Sequence, residues 1–214
     1  MTRRRGISQL FRGIRLNRTW LEVSDLEPST ILNMHSSAID GDFIPDPTGK
    51  GNHSGAYADK TRFEEAMAIS EKYIQLFLEE IKSVEGTISY PYLFLWNNPD
   101  GILLHSSCPS SMTDVPRQAG LVPGLLMDKH VLGLNAISLA METGRTVVVR
   151  GDEHTVNLFT LWNCVCCPVR MGETGEIVGY LDISFDFMYD PGFVVPLLSH
   201  LANRIGKAID ALGA

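Results

Sequence analysis

No run of eighteen or more apolar residues occurs in the chain, so no transmembrane helix is expected. The N-terminus, MTRRRGISQLFRGIRL, is positively charged but has no continuous apolar segment, and a secretory signal is not expected either. The phosphate-cradling pattern GxxxxGK(S/T) is missing, as is GxGxxG after a strand. Nucleotide binding through a glycine loop therefore has no support. There is no GxSxG nucleophile elbow, no HExxH pair and no internal repeat. Cysteine is scarce: Cys108, Cys164, Cys166 and Cys167 are the four in 214 residues. Without a secretion signal they read as reduced thiols of a cytoplasmic protein.

With 44% hydrophobic and 20% charged residues, the composition is that of an ordinary globular protein, long enough to bury a core. The formal charge of −7 is unevenly spread. Residues 1–18 hold six arginines and no acid, so the rest carries −13, which is −7 less the arm's +6. Such an arm suits nucleic acid or anionic lipid, or is a solvated tail.

Residues 1–60 are poorly periodic and read as a basic arm and linker. The Gly-, Pro- and Asp-rich stretch Asp40 to Asp59 reads as a long loop. A short helix is expected within 24–37, with Ser29 as its cap. From about Thr61 to Val84, apolar residues such as Phe63, Met67, Tyr73, Phe77 and Ile81 recur at helical spacing, and Gly86 follows as a C-cap glycine. Tyr90 to Cys108 holds two apolar runs around Asn97-Asn98-Pro99-Asp100-Gly101, a hairpin signal. A second helix is expected from about Asp128 to Thr143, then a strand at Thr146 to Val149 and a short helix or turn from Thr155 to Trp162. Cys164–Met171 and Glu176–Phe185 form a second hairpin, and Phe193 to Leu212 a final amphipathic helix. Hairpins dominate, which points to an α+β fold with a mainly antiparallel central sheet and flanking N- and C-terminal helices. The sensor domain itself is expected over 61–214.

The Cys164-Val165-Cys166-Cys167 cluster suggests zinc at first sight, but strand alternation sends Cys164 and Cys166 one way and Cys167 the other. One face then offers two thiolates where a structural zinc site takes four ligands, and no metal or other cofactor is expected. The remaining readings are small apolar wall residues or a redox-sensing thiol, which needs an exposed, low-pKa site. Asp152-Glu153-His154 contains acid–base groups. Consecutive loop residues rarely converge on one substrate, and a polar connection with Asp152 capping the next helix is the simpler account. The aromatics Tyr90, Tyr92, Phe94, Trp96, Phe159 and Trp162 suit either a ligand pocket or a core.

Three segments carry a family resemblance: Gly133-Leu134-Asn135-Ala136-Ile137; Gly144-Arg145-Thr146-Val147-Val148-Val149-Arg150-Gly151-Asp152-Glu153-His154; and Asn163 to Arg170 followed by Gly179-Tyr180-Leu181-Asp182-Ile183-Ser184. Together they resemble the GAF sensor domain at the N-terminus of sigma-54-dependent, acetoin-catabolism-type transcriptional activators. Those proteins show a GTNAIGTAL-like helix, a GRPVxVxGxEH-like segment and a TCSAAPIRDxxGxxxGVLDLS-like hairpin. The likeness is close over the 55 residues from Val131 to Phe185 and looser from Thr61 to the last helix. Leu134 departs from the usual threonine, and Cys166 and Cys167 from small alanines. Those positions are expected to write ligand preference if they face the pocket.

The resemblance implies a non-enzymatic regulatory domain that binds a small organic metabolite and biases its flanking helices. A homodimer and no membrane contact are expected. The AAA+ and DNA-binding output domains are absent from this chain. Asn135 and His154 are the expected polar anchors, and Trp162, Cys164 and Cys166 the walls. The competing readings are a GAF-fold thiol redox enzyme or sensor of the methionine sulfoxide reductase kind, and a dimerisation module without ligand. In the latter, Phe77 and Ile81 belong to the interface.

Overall fold

The computed structural model describes residues 19–38, 54–172 and 174–213. The six arginines of the basic arm and most of the Asp40–Asp59 loop lie outside the described residues.

Turn chemistry builds the sheet in two hairpins. Strands β2 (Tyr92–Asn97) and β3 (Leu103–Ser107) pair antiparallel. In the turn between them, Ile102 N donates to Asn98 Oδ1 at 2.8 Å and Gly101 takes φ +77°, a conformation that favours glycine. Strands β5 (Trp162–Arg170) and β6 (Ile177–Asp186) form the second antiparallel hairpin. Two short strands, β1 (Leu21–Glu22) and β4 (Val147–Arg150), complete a six-stranded sheet of order β1-β4-β5-β6-β2-β3. Every pairing is antiparallel except β1 with β4. Pro168 is tolerated in β5 because the pairing with β4 ends at Cys166, so its missing N–H costs no ladder bond on that side.

Helices cover both faces, which explains why β2 and β6 are buried almost throughout. On one face lie α2 (Lys60–Ser83) and α6 (Val194–Gly213). The Asp59 carboxylate starts α2 by accepting from Arg62 N at 2.9 Å. Buried Ala66, Ser70, Ile74, Phe77 and Ile81 form its inward stripe. Phe77 packs 5.9 Å from Trp96, centroid to centroid, and its complete burial contributes roughly 2–3 kcal/mol. Arg204 Nε on α6 lies 2.9 Å from Glu80 Oε2 on α2. The cross-strand register puts Phe94, Trp96, Val165, Cys167, Leu181 and Ile183 on this face, and Leu93, Leu95, Cys164, Cys166, Asp182 and Ser184 on the other.

That other face is covered by α5 (Ala136–Thr143) and irregular chain. The helix expected over 128–143 is in fact two: α4 (Lys129–Leu132), after a four-residue α3 (Val115–Gln118), and then α5. Gly133 breaks it, with φ +61° and Thr155 packed where a Cβ would sit, and Asn135 starts the helix anew. Two expected caps also differ. Helix α1 (Pro28–Ser37) begins with Pro28, so Ser29 lies inside it. Asp152 sits within a single 3₁₀ turn, Gly151–Glu153, and it is the Glu153 carboxylate that accepts from Arg150 N.

The division at residue 60 does not coincide with an edge of the packed structure. Leu21 N donates to Thr146 O at 2.9 Å, α1 packs against α4, and Met34 is buried. Among the described residues, no helix is long and apolar enough to cross a membrane.

Candidate functional site

Between the sheet and α5 lies a small, mainly apolar cavity walled by Leu95, Ile137, Phe159, Trp162, Cys164 and Asp182. Its free volume is about 20 Å³, room for about one water. Ala119, Leu121, Leu158 and Phe159 close it from segments outside the sheet and the long helices. Asn135, Trp162 and Cys164 of the five expected site residues border this space, and His154 and Cys166 do not.

Asn135 borders it with its side chain already engaged. Its Oδ1 accepts from Ser138 N at 3.0 Å as the cap of α5, while Nδ2 donates to Met127 O at 2.9 Å and Gly133 O at 3.3 Å. Both amide protons and one oxygen lone pair are spent on the fold. Trp162, expected in a turn, is the first residue of β5 and half-buried.

His154 is buried, with its ring 6.0 Å from that of Phe159. Its Nδ1 lies 2.9 Å from Gly151 O, and since a carbonyl can only accept, Nδ1 carries the proton. Burial pushes the ring's pKa down to about 4. The neutral ring therefore leaves Nε2 as a bare acceptor, buried without a partner.

The cysteines divide as strand alternation demands. Cys164 Sγ lies 3.1 Å from Ser184 Oγ on the cavity face, and Cys167 Sγ lies 3.6 Å from Ser199 Oγ of α6 on the other. Burial raises the pKa of Cys164 and Cys166 well above the ordinary thiol value and that of Cys167 to about 11. Raised pKa values suppress the thiolate on which nucleophilic or redox reactivity depends. Leu134 and Cys166 are buried but do not border the cavity. The expectation that ligand preference resides in Leu134, Cys166 and Cys167 therefore finds no geometric footing. Among the described residues, no group of three or more His, Cys, Asp or Glu is placed to hold a metal ion.

Asp182 is the polar group that sequence reasoning missed. It sits mid-β6, opposite Leu95 of β2 and Cys166 of β5, and is 1% exposed. Ser184 Oγ donates to its Oδ2 at 2.9 Å, while its Oδ1 has no partner. Burial pushes its pKa up to about 7, against the opposing pull of the Ser184 hydrogen bond. A signal existed: one acid stands inside the apolar run Val178 to Phe185, in phase with the residues opposite Cys164 and Cys166. A carboxylate seldom occupies such a place without a partner.

Comparison with solved structures gives the same architecture in the E. coli DhaR(N)–DhaL complex, with a TM-score of 0.73 at 14% identity over 86% of this chain and 61% of that one. A GAF domain, GAF3 of Slr1393 from Synechocystis sp. PCC6803 in its photoproduct state, aligns over 66% of this chain and 95% of that one, at 15% identity and a TM-score of 0.44. In sequence, the chain is 32% identical over 90 residues to the propane 2-monooxygenase operon transcriptional activator MimR of Mycolicibacterium smegmatis. That alignment covers 42% of this chain but only 15% of the relative's length. The family model described as MimR, N-terminal domain, matches residues 96–211, from the end of β2 into the last turn of α6. More than half of the chain lies in that match, and the chain belongs to the family of MimR N-terminal domains.

Proposed function

We propose that this chain is the small-molecule-sensing module of a bacterial transcription activator of the sigma-54-dependent kind, working in the cytoplasm. Its ligand site is the cavity under α5. The observation carrying this reading is an apolar cavity built on one face of a sheet whose other face holds α2 and α6. Strand β5 serves both layers, with Cys164 toward the cavity and Cys167 toward Ser199 of α6. A ligand that displaces β5 therefore bears directly on α6. Binding biases whichever arrangement of the helices it fits better, and output domains outside this chain read that bias. The cavity as it stands admits little more than a water, so ligand entry moves the short segments that close it.

Residues 19–38 belong to the module in this reading, since β1 extends the sheet and α1 packs on α4. The module works as a homodimer without membrane contact. The chemistry of a thiol redox enzyme is disfavoured by burial, which holds Cys164, Cys166 and Cys167 as thiols at neutral pH.

The test is a thermal-shift screen of the purified chain against small neutral metabolites, paired with the cavity-filling variant Ala136→Phe. A compound that raises the melting temperature of the parent but not of the folded variant supports the reading. Equal shifts in both proteins place binding elsewhere and sink it.

A further inference from the structure

We infer that Asp182 is the anchor of this cavity, accepting a hydrogen bond through Oδ1 from a hydroxyl or amine group on a compact, non-acidic, mainly apolar ligand. The inference rests on the sensing reading and adds to it the chemical class of what is sensed. Three observations carry it. Oδ1 is buried without a partner in a residue that borders the cavity. The donors nearby are already directed: Ser184 Oγ gives its proton to Oδ2 at 2.9 Å, and Cys164 Sγ, 3.1 Å from Ser184 Oγ, is left as the donor to that oxygen. The chain of hydrogen bonds therefore runs toward the carboxylate and leaves Oδ1 as the unpaired acceptor of a residue that borders the cavity. Finally, no lysine, arginine or histidine borders the cavity, so an acidic ligand meets a like charge with nothing to offset it.

The raised pKa of the buried Asp182 carboxyl gives the pH dependence of binding a sign. The titratable groups beside Asp182 are Cys164 and Cys166 of β5, with Cys167 on the opposite face of that strand and Tyr180 two residues earlier on β6. All four have raised pKa values and are neutral below pH 9. Asp182, raised to about 7, is then the group among them that changes charge between pH 5 and 8.5. A donor ligand favours the ionised carboxylate, so its affinity rises with pH across that range. A ligand offering only an acceptor needs the protonated acid, and its affinity falls.

The experiment uses the whole chain and matched probes: 1-butanol, butylamine, 2-butanone and butyrate, with cyclohexanol and cyclohexanone as a bulkier pair. Binding is read by NMR from the indole of Trp162 at pH 5.5, 7 and 8.5, in the parent and in Asp182→Leu, which keeps the branched shape and removes the acceptor. Asp182→Asn is the second variant, should the first fail to fold. At pH 8.5 the alcohols and the amine are expected to bind at least tenfold more tightly than the ketones and butyrate. Their affinity should rise with pH, and it should fall at least tenfold in Asp182→Leu and lose its pH dependence in either variant. Ketones binding as well as alcohols at pH 8.5, or alcohols binding Asp182→Leu unchanged, overturn the anchor while leaving the cavity as a site. No probe perturbing Trp162 at any pH overturns the anchor and the cavity reading together.

Discussion

The backbone N–H of Leu134 donates to Thr155 Oγ1 at 2.7 Å, tying the break between α4 and α5 to the chain that follows β4. The same hydroxyl oxygen lies 2.8 Å from His35 Nδ1 of α1, so one threonine joins three segments of the chain. Gly133 makes the approach possible. It has φ +61° and ψ −142°, and an added Cβ would stand 2.6 Å from Thr155 Cβ. Gly133→Ala is therefore expected to cost about 2–4 kcal/mol through backbone strain and overpacking together. Chemical denaturation measures this, and a loss under about 0.5 kcal/mol would mean the approach is not required.

The Asp182 carboxyl sets a pH dependence with a definite sign. In the unfolded chain it ionises from pH 3.8 upward, whereas in the folded protein it holds its proton until about pH 7. The folded state binds more protons in that window, so the group's contribution to stability falls as pH rises from about 4 to 7 and stays lost above it. The full effect is on the order of 4 kcal/mol. The stability difference between the parent and Asp182→Asn should change across that window by a few kcal/mol in the variant's favour. A difference that is flat in pH would show that Asp182 ionises normally.

His154 works in the opposite direction. Its ring gains a proton below 6.5 when unfolded but only near 4 when folded, so its contribution to stability falls as pH drops through that window. Between pH 4 and 6.5 the slopes of Asp182 and His154 oppose each other, and the pair contributes little net pH dependence there. Proton NMR of the His154 ring should give a midpoint well below 6.5. A midpoint at or above the ordinary value would mean the ring is hydrated.

Much of the architecture was legible because its signals are local. The alternation of β5 placed Cys164 and Cys167 on opposite faces, and the Asn97–Gly101 and Gly172–Gly175 turns located both hairpins. The break at Gly133 was hidden because its cause is Thr155, twenty-two residues on, and a glycine within an apolar helical pattern carries no sign of what packs against it. The place of residues 21–37 was hidden for a related reason. Two residues of β1 make too short a pattern to read, and their parallel partner in β4 lies far along the chain. The candidate cavity was legible in part. The motif located Asn135, but not that its amide is consumed as a cap. Asp182 was overlooked because its meaning depends on which neighbours bury it.

Thiol accessibility separates a sealed cavity from an open one. Burial raises the pKa of all four thiols, but Cys108 is half-buried, whereas Cys164, Cys166 and Cys167 are buried. A disulfide reagent at neutral pH is expected to modify Cys108 first and the other three only at the rate of global unfolding. If Cys164 reacts as fast as Cys108, the cover over the cavity opens locally in the absence of ligand.

Oligomerisation can be separated from folding by choosing faces. Phe77 and Ile81 are buried against the sheet within one chain, so they are not available as an interface between copies. Phe77→Glu buries a charge without a partner and is expected to cost 4 kcal/mol or more, enough to unfold a domain of ordinary stability. Apolar side chains that a partner can reach on or beside these helices include Met188 and Phe193 before α6, at 74% and 57% exposure, and Ile69 on α2 at 71%. Phe193→Glu and Ile69→Glu should each leave stability within about 0.5 kcal/mol of the parent. If a homodimer forms through either helix, light scattering should show one of these two variants dissociating at a concentration where the parent is paired. A parent that is monomeric at every concentration removes the homodimer from the proposal, whereas dissociation by Phe77→Glu in a protein that stays folded would contradict the packing of α2 on the sheet.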